Sequence, residues 1–329
     1  MFDSQASEVD LIPTKENVNH IGGMQDNSYG DLTGTWFCNY IEVAFHFVIA
    51  TFNRADTTRR SLTTLKAAIS AAGSPACTIT VVDSNSTDGT AEVVRQIFSD
   101  ANVYSVSQET FWAEAMSFGE RAVLRNRTVE EADYVVWLND DTLFDQDSFV
   151  RIMSFLPRQT LQTPQVFVAP LLSEDQHAVR TGGLSRTRNP LRFETMEICT
   201  GVQESDTFNG NFVIVPVHRA RTLGPINGAF GHHRADLEYG LRNLWAGGLN
   251  VVLPNSFGIS ISSAPSGIQP TYSWVFYKSV KGAGHKRSRE IFLQFLGLNR
   301  LERKIIGLAN DVQFFCRLAF VSLRWGRRW

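Results

Sequence analysis

Three apolar runs in the first half of the chain each break off abruptly into polar groups. Val43 to Ala50 runs into Thr51-Phe52-Asn53-Arg54, and Thr78 to Val82 runs into Asp83-Ser84-Asn85-Ser86-Thr87-Asp88-Gly89-Thr90. Tyr134-Val135-Val136-Trp137-Leu138 runs into Asn139-Asp140-Asp141-Thr142. Short runs rich in β-branched and aromatic residues fit strands buried on both faces of a sheet. The intervening segments Thr57 to Ala72, Ala91 to Phe98 and Thr110 to Leu124 have helical spacing. Strands alternating with helices at this interval predict a parallel sheet with right-handed crossovers. In such a sheet the polar exits gather along the carboxyl edge, where ligands bind.

The adjacent acids Asp140 and Asp141 repel one another unless a cation lies beside them. A hard divalent metal held by oxygen ligands is the simplest partner, and such a metal also takes phosphate oxygens. Asp83 can accept from the imide of a base or from a ribose. Asn85 lies in a loop made almost wholly of ligand-bonding groups. The three exits together describe a site for a nucleotide diphosphate. No Walker A loop is present and no Gly-x-Gly-x-x-Gly follows the first strand, which excludes the commonest P-loop and dinucleotide-binding designs.

Past Asp141 the pattern becomes less regular. A helix is expected over Gln146 to Leu156, with strands over Val166 to Leu171, Phe212 to Pro216 and Asn250 to Leu253. Residues 173–207 form a long polar stretch expected to be irregular. The segment from Phe230 to Ala246 carries His232, His233, Asp236, Glu238 and Arg242.

The motifs Val48-Ile49-Ala50-Thr51-Phe52-Asn53-Arg54, Val81 to Thr90, Trp137 to Thr142, Asn209-Gly210-Asn211 and Ala235 to Arg242 resemble, in order and spacing, the family 2 glycosyltransferases of the GT-A fold. The resemblance implies a Rossmann-like, mostly parallel α/β sheet flanked by helices. It implies a nucleotide-diphosphate sugar donor (UDP-, dTDP- or GDP-sugar), a divalent Mg or Mn ion and inversion at the anomeric carbon. By position, Thr51, Asn53, Arg54, Asp83, Asn85, Trp112, Asp140, Asn209 and Arg242 would contact the donor. Asp141 would bind the metal, and His285 would complete its shell. Asp236 would be the catalytic base, with Glu238 as second choice. The Phe111-Trp112-Ala113 segment departs from the family's usual Asn-Leu-Gly turn, and Ala235-Asp236 departs from its usual Glu-Asp.

The 329 residues are 43% hydrophobic and 19% charged, so the chain can bury a substantial core. The expected organisation is a polar extension over residues 1–41 and a catalytic domain over 42–265, with its donor half at 42–145 and its acceptor half at 146–265. A basic helical extension follows over 266–329. Four scattered cysteines suit a reducing compartment. The net charge of −2 hides an asymmetry, because residues 278–329 hold 12 Lys/Arg against 3 Asp/Glu. That basic end, with Trp325 and Trp329 among arginines, points to peripheral contact at the inner face of the cell membrane. The protein is expected to be cytoplasmic, with no nucleic-acid partner. The expected acceptor is a glycan or lipid-linked hydroxyl, as in surface polysaccharide synthesis. The alternatives are a non-catalytic nucleotide-sugar-binding subunit and a nucleotidyltransferase.

Overall fold

The computed structural model describes residues 43–156, 164–261 and 274–325. The expected extension over 1–41 lies outside these residues, as do Arg327, Arg328 and Trp329. In chain order the first half comprises β1 (Phe45–Thr51), α1 (Ala55–Ala71), β2 (Cys77–Asp83), α2 (Thr90–Ile97), β3 (Asn102–Ser105), α3 (Trp112–Arg125) and β4 (Tyr134–Asn139). Then come β5 (Thr142–Phe144), α4 (Ser148–Phe155), β6 (Gln165–Val168), β7 (Leu171–Ser173), β8 (Val179–Thr181), β9 (Gly183–Arg186), β10 (Phe193–Thr195), β11 (Gln203–Ser205), β12 (Thr207–Phe208) and β13 (Phe212–Pro216). The remainder comprises α5 (Val217–Leu223), a 3-10 turn (Gly228–Phe230), α6 (Ala235–Trp245), β14 (Leu249–Val252), β15 (Gly258–Ser260), α7 (Trp274–Lys278), α8 (Lys286–Phe295) and α9 (Arg300–Trp325).

Eight strands form the main sheet in the order β11-β14-β6-β13-β4-β1-β2-β3. The β1, β2, β3 and β4 strands run parallel, while β13 runs antiparallel to both β4 and β6. The alternation within each strand divides the core into two layers. Phe45, Phe47 and Ile49 point with Val136 and Leu138 to a cluster under α1 and α4, which supply Leu62, Leu65, Phe149 and Ile152. Val48, Val135 and Trp137 point the other way, to a cluster with Met116, Tyr239 and Phe292 from α3, α6 and α8. Both faces are therefore covered, as the near-continuous apolar runs require. Helix α3 sits close on the sheet because Gly119 has no side chain. A Cβ there would come 2.6 Å from Val48 Cγ1.

Residues 173–207 are broken by short strands rather than irregular throughout. β9, β10 and β12 form one small sheet, β8 joins β5-β15-β7, and β11 pairs with β14 at the edge of the main sheet. Their strands are only two to four residues long, too short to display a period of two in the sequence. The expected helical C-terminus is interrupted at Gly297, whose φ of 78° ends α8 before α9 begins. The boundary expected at 265/266 falls outside the described residues. Beyond it, α8 buries Phe292 and Leu293 in the core and Ser288 Oγ donates to the Phe230 carbonyl at 2.7 Å.

Candidate active site

Strand register sets the site. Thr51 is level with Asp83, Ala50 with Asn139, and Asp83 with Ser105. The polar exits of β1, β2 and β4 thus lie side by side at one edge of the sheet, where the parallel strands stop and their carbonyl ends face outward.

Arg54 clasps the acid pair. Its Nη1 donates to Asp140 Oδ1 at 2.6 Å and its Nη2 to Asp141 Oδ2 at 3.3 Å. Thr51 Oγ1 donates to the second Asp140 oxygen at 3.0 Å. Asp140 is buried, and burial pushes its carboxyl up to about 7, with Arg54 opposing the shift and Asp141 adding to it. Burial raises Asp141 as well. Asp141 Oδ1 is buried and has no partner among the described residues. A carboxylate oxygen in that state fits a cation ligand. The Asp141 backbone is fixed by the β5–β15 pairing, since its carbonyl accepts from Ile261 N at 2.9 Å. Gly258 is needed for that approach, because a Cβ there would sit 2.0 Å from the Leu143 carbonyl oxygen.

The loop after β2 is held from inside. Asp83 accepts from Ser86 N at 2.9 Å and from Ser86 Oγ at 2.5 Å. Asn53 Oδ1 accepts from Thr87 N at 2.8 Å, joining this loop to the exit of β1. Asp88 does more than begin α2. Its two oxygens accept from Thr90 N at 3.1 Å and from Ala55 N at 2.9 Å, so it ties the first turns of α2 and α1 together. Asn85 is exposed with φ 57°, and Asn209 is half-buried beside Gly210.

Trp112 connects this edge to α6. Its Nε1 donates to Asn139 Oδ1 at 2.9 Å. Its ring lies against Gly210, where a Cβ would come 2.6 Å from Trp112 Cη2 and 3.1 Å from Asp236 Cβ. Gly210 N donates to Asp236 Oδ2 at 3.0 Å and Leu237 N donates to Asp236 Oδ1 at 2.9 Å. Asp236 sits in the first turn of α6, and burial raises its carboxyl. A base with a raised carboxyl is better matched to a neutral working pH.

Three expected residues have other partners. Glu238 accepts from Arg242 Nε at 2.9 Å and from its Nη2 at 3.2 Å. Arg242 also donates to the carbonyls of Leu223 and Pro225, so its guanidinium braces the loop before the 3-10 turn. The His285 Nδ1 and Ser288 Oγ atoms pair at 2.8 Å at the start of α8. The described residues contain no cluster of three or more His, Cys, Asp or Glu side chains able to hold an ion. His232 and His233 lie edge to face, and burial lowers them to about 4 and about 3, leaving both rings neutral at pH 7.

Residues 46–201 match the family model described as glycosyl transferase family 2. That stretch of the chain, just under half of it, is similar to the family 2 glycosyltransferases. No curated protein sequence matches the chain. Among solved structures, GalNAc-T7 with UDP, GalNAc and Mn2+ is 11% identical with a TM-score of 0.54, over 80% of this chain and 49% of that one. The mannosyltransferase PcManGT from Pyrobaculum calidifontis, with GDP-Man and Mn2+, is 14% identical with a TM-score of 0.50, over 84% of this chain and 72% of that one. This chain thus spans about half the length of the first. At these identities the likeness establishes the GT-A fold, in agreement with the mostly parallel sheet and flanking helices. The family match stops before Asn209, Asp236, Glu238 and Arg242.

Sequence reasoning missed two features of the candidate site. Arg180, on β8, is near enough to Asp141 to favour its charged form. It lies in the stretch expected to be irregular. Arg234 adopts φ 73° immediately before α6, and its Nη2 donates to the Ala283 carbonyl at 2.6 Å. A left-handed arginine has no sequence signature.

Proposed function

We propose that this chain transfers a sugar from a nucleotide-diphosphate sugar to an acceptor hydroxyl, with inversion at the anomeric carbon. The observation that carries the reading is the continuous set of contacts from Arg54 and the acid pair, through Asn139 and Trp112, to Gly210 and Asp236. Asp83, Asn53 and Asn85 hold the nucleoside, and Thr51, Arg54 and Asp140 flank the ribose and phosphates. Asp141 holds a divalent Mg or Mn through its unpartnered oxygen. Both related structures named above contain Mn2+. When bound, the metal supplies Lewis-acid neutralisation of the leaving diphosphate. Asp236 takes the acceptor hydroxyl proton as that oxygen attacks C1 from the face opposite the diphosphate. A single displacement needs no enzyme nucleophile, so one base is sufficient. The acceptor class this reading favours is a glycan or lipid-linked hydroxyl.

The test is a screen of UDP-, GDP- and dTDP-sugars for thermal stabilisation with and without Mn2+, followed by turnover on the donor that binds. Asp141→Ala should abolish the metal dependence. Asp236→Asn should keep donor binding and lose turnover by about 10²- to 10⁴-fold. Stabilisation by no donor, or full turnover by Asp236→Asn, would overturn the assignment.

A further inference from the structure

Helix α9 presents two faces of different chemistry. One is docked. Phe314 stacks on Tyr277 with ring centroids 3.9 Å apart, Asp311 accepts from Arg289 Nη1 at 2.7 Å and from Lys278 Nζ at 2.5 Å, and Arg303 Nε reaches Glu290 at 3.2 Å. Gly307 faces Arg289 on the same side. The other face carries Leu301, Ile305, Leu308 and Val312, which are 53 to 67% exposed. Their spacing of four, three and four residues keeps them within an arc of about 60° and along about 16 Å of helix. Four large apolar side chains aligned on one exposed face form a patch, unlike the scattered apolar residues of an ordinary surface.

The charge beside this stripe identifies its partner. From Arg300 to Trp325 the helix has five Lys/Arg against two Asp/Glu, and Arg327 and Arg328 follow. Both acids are engaged. Asp311 is in the docked network, and Glu302 Oε2 accepts from Asn299 N at 2.7 Å. Lys304 borders the stripe and Arg300 opens the helix just before Leu301, and neither has an acidic partner among the salt bridges of the described residues. A second copy of so basic a helix would repel this one. An anionic lipid surface attracts the cations and receives the apolar side chains at its boundary. No helix among the described residues is long and apolar enough to cross a membrane. We propose that the Leu301–Val312 face of α9 docks the protein in the plane of an anionic membrane. This inference is independent of the sugar-transfer reading.

The test is sedimentation of the full chain with vesicles of phosphatidylcholine alone or mixed with phosphatidylglycerol. The protein should pellet with the anionic vesicles, and raised salt should weaken the binding. The double variant Ile305→Asp/Leu308→Asp should reduce partitioning by roughly tenfold or more. Both positions are exposed, so its melting temperature should match that of the parent. Equal binding to neutral vesicles would overturn the proposal, as would anionic binding that the double variant leaves unchanged. A dimer in solution that the double variant dissociates would assign the face to a second copy instead.

Discussion

Gly210 donates its backbone N–H to Asp236 Oδ2 at 3.0 Å, and the space where its side chain would stand is filled by the Trp112 ring. The candidate base and the strand-exit edge are therefore joined by the absence of one methyl group. Gly210→Ala would bring a Cβ 2.6 Å from Trp112 Cη2. The ring cannot simply swing away, because its Nε1 is bonded to Asn139. Overpacking of this kind costs about 1 to 3 kcal/mol. Displacing a reacting group by about 1 Å costs about 10²-fold in rate. The variant should fold with a modestly lowered unfolding midpoint and lose about 10²-fold in kcat. Turnover and denaturant unfolding measured on one preparation check both parts.

Arg54 stands where a cation would be needed beside Asp140 and Asp141, and it is about a quarter exposed, at 26%. Arg54→Gln removes that charge and leaves two buried acids facing each other. Breaking a buried pair costs about 3 to 5 kcal/mol, and the partial exposure of Arg54 brings the expected loss nearer 2 kcal/mol. Bound metal should restore more stability in the variant than in the parent, since it takes over the missing charge. Melting temperatures of both proteins with and without Mn2+ decide this. A variant whose response to Mn2+ is no larger than the parent's would mean that Arg54 and the metal do not share the acid pair.

Asp140 titrates near 7 because burial disfavours its charged form, and buried Glu120 is pushed up to about 7 for the same reason. A carboxyl raised in the folded state binds protons more tightly there than in the unfolded chain. Its contribution to stability is therefore full at low pH, below the ordinary carboxylate range, and is lost as pH rises through about 7. Without metal, the unfolding free energy contributed by these two groups should fall between about pH 4 and pH 7. Metal binding at Asp141 needs its own raised carboxyl deprotonated and is favoured by charge on neighbouring Asp140, so the stabilisation given by Mn2+ should grow as pH rises over the same window. Thermal unfolding at intervals from pH 5 to pH 8 tests the sign. In Asp140→Asn the growth with pH should shrink, whereas loss of Glu120 should leave it in place.

The parallel half of the sheet was legible because each of its strands carries its own signal. β1, β2 and β4 are buried on both faces, and their polar exits mark where they end. The small sheets were not legible. β8 pairs only with nearby β7, and β9 with β10 and β12, and strands of two to four residues leave no period to detect. The site follows the same division. Thr51, Arg54, Asp140 and Asp141 meet as expected because they leave adjacent strands. Arg242 and Glu238 were expected to contact substrate because the Ala235 to Arg242 stretch resembles the family's motif by position. Their mutual pairing depends on the carbonyls of Leu223 and Pro225, which the sequence does not bring near α6.

That pairing separates the two candidate bases. Glu238 is buried, with both oxygens taken by Arg242, whose guanidinium also lies over the Tyr239 ring with its Cζ 4.8 Å from the centroid. Asp236 accepts only backbone N–H groups and lies against Gly210 at the strand-exit edge. Glu238→Gln keeps the shape but removes the charge on which Arg242 rests. A hydrogen bond to a charged partner is worth about 1.5 to 3 kcal/mol, so the unfolding free energy should fall by about that amount. Its kcat should change by less than about tenfold, against about 10²- to 10⁴-fold for Asp236→Asn. Steady-state turnover of the two variants, each with its unfolding midpoint, makes the comparison. A Glu238→Gln enzyme that is stable yet as slow as Asp236→Asn would transfer the role of base from Asp236 to Glu238.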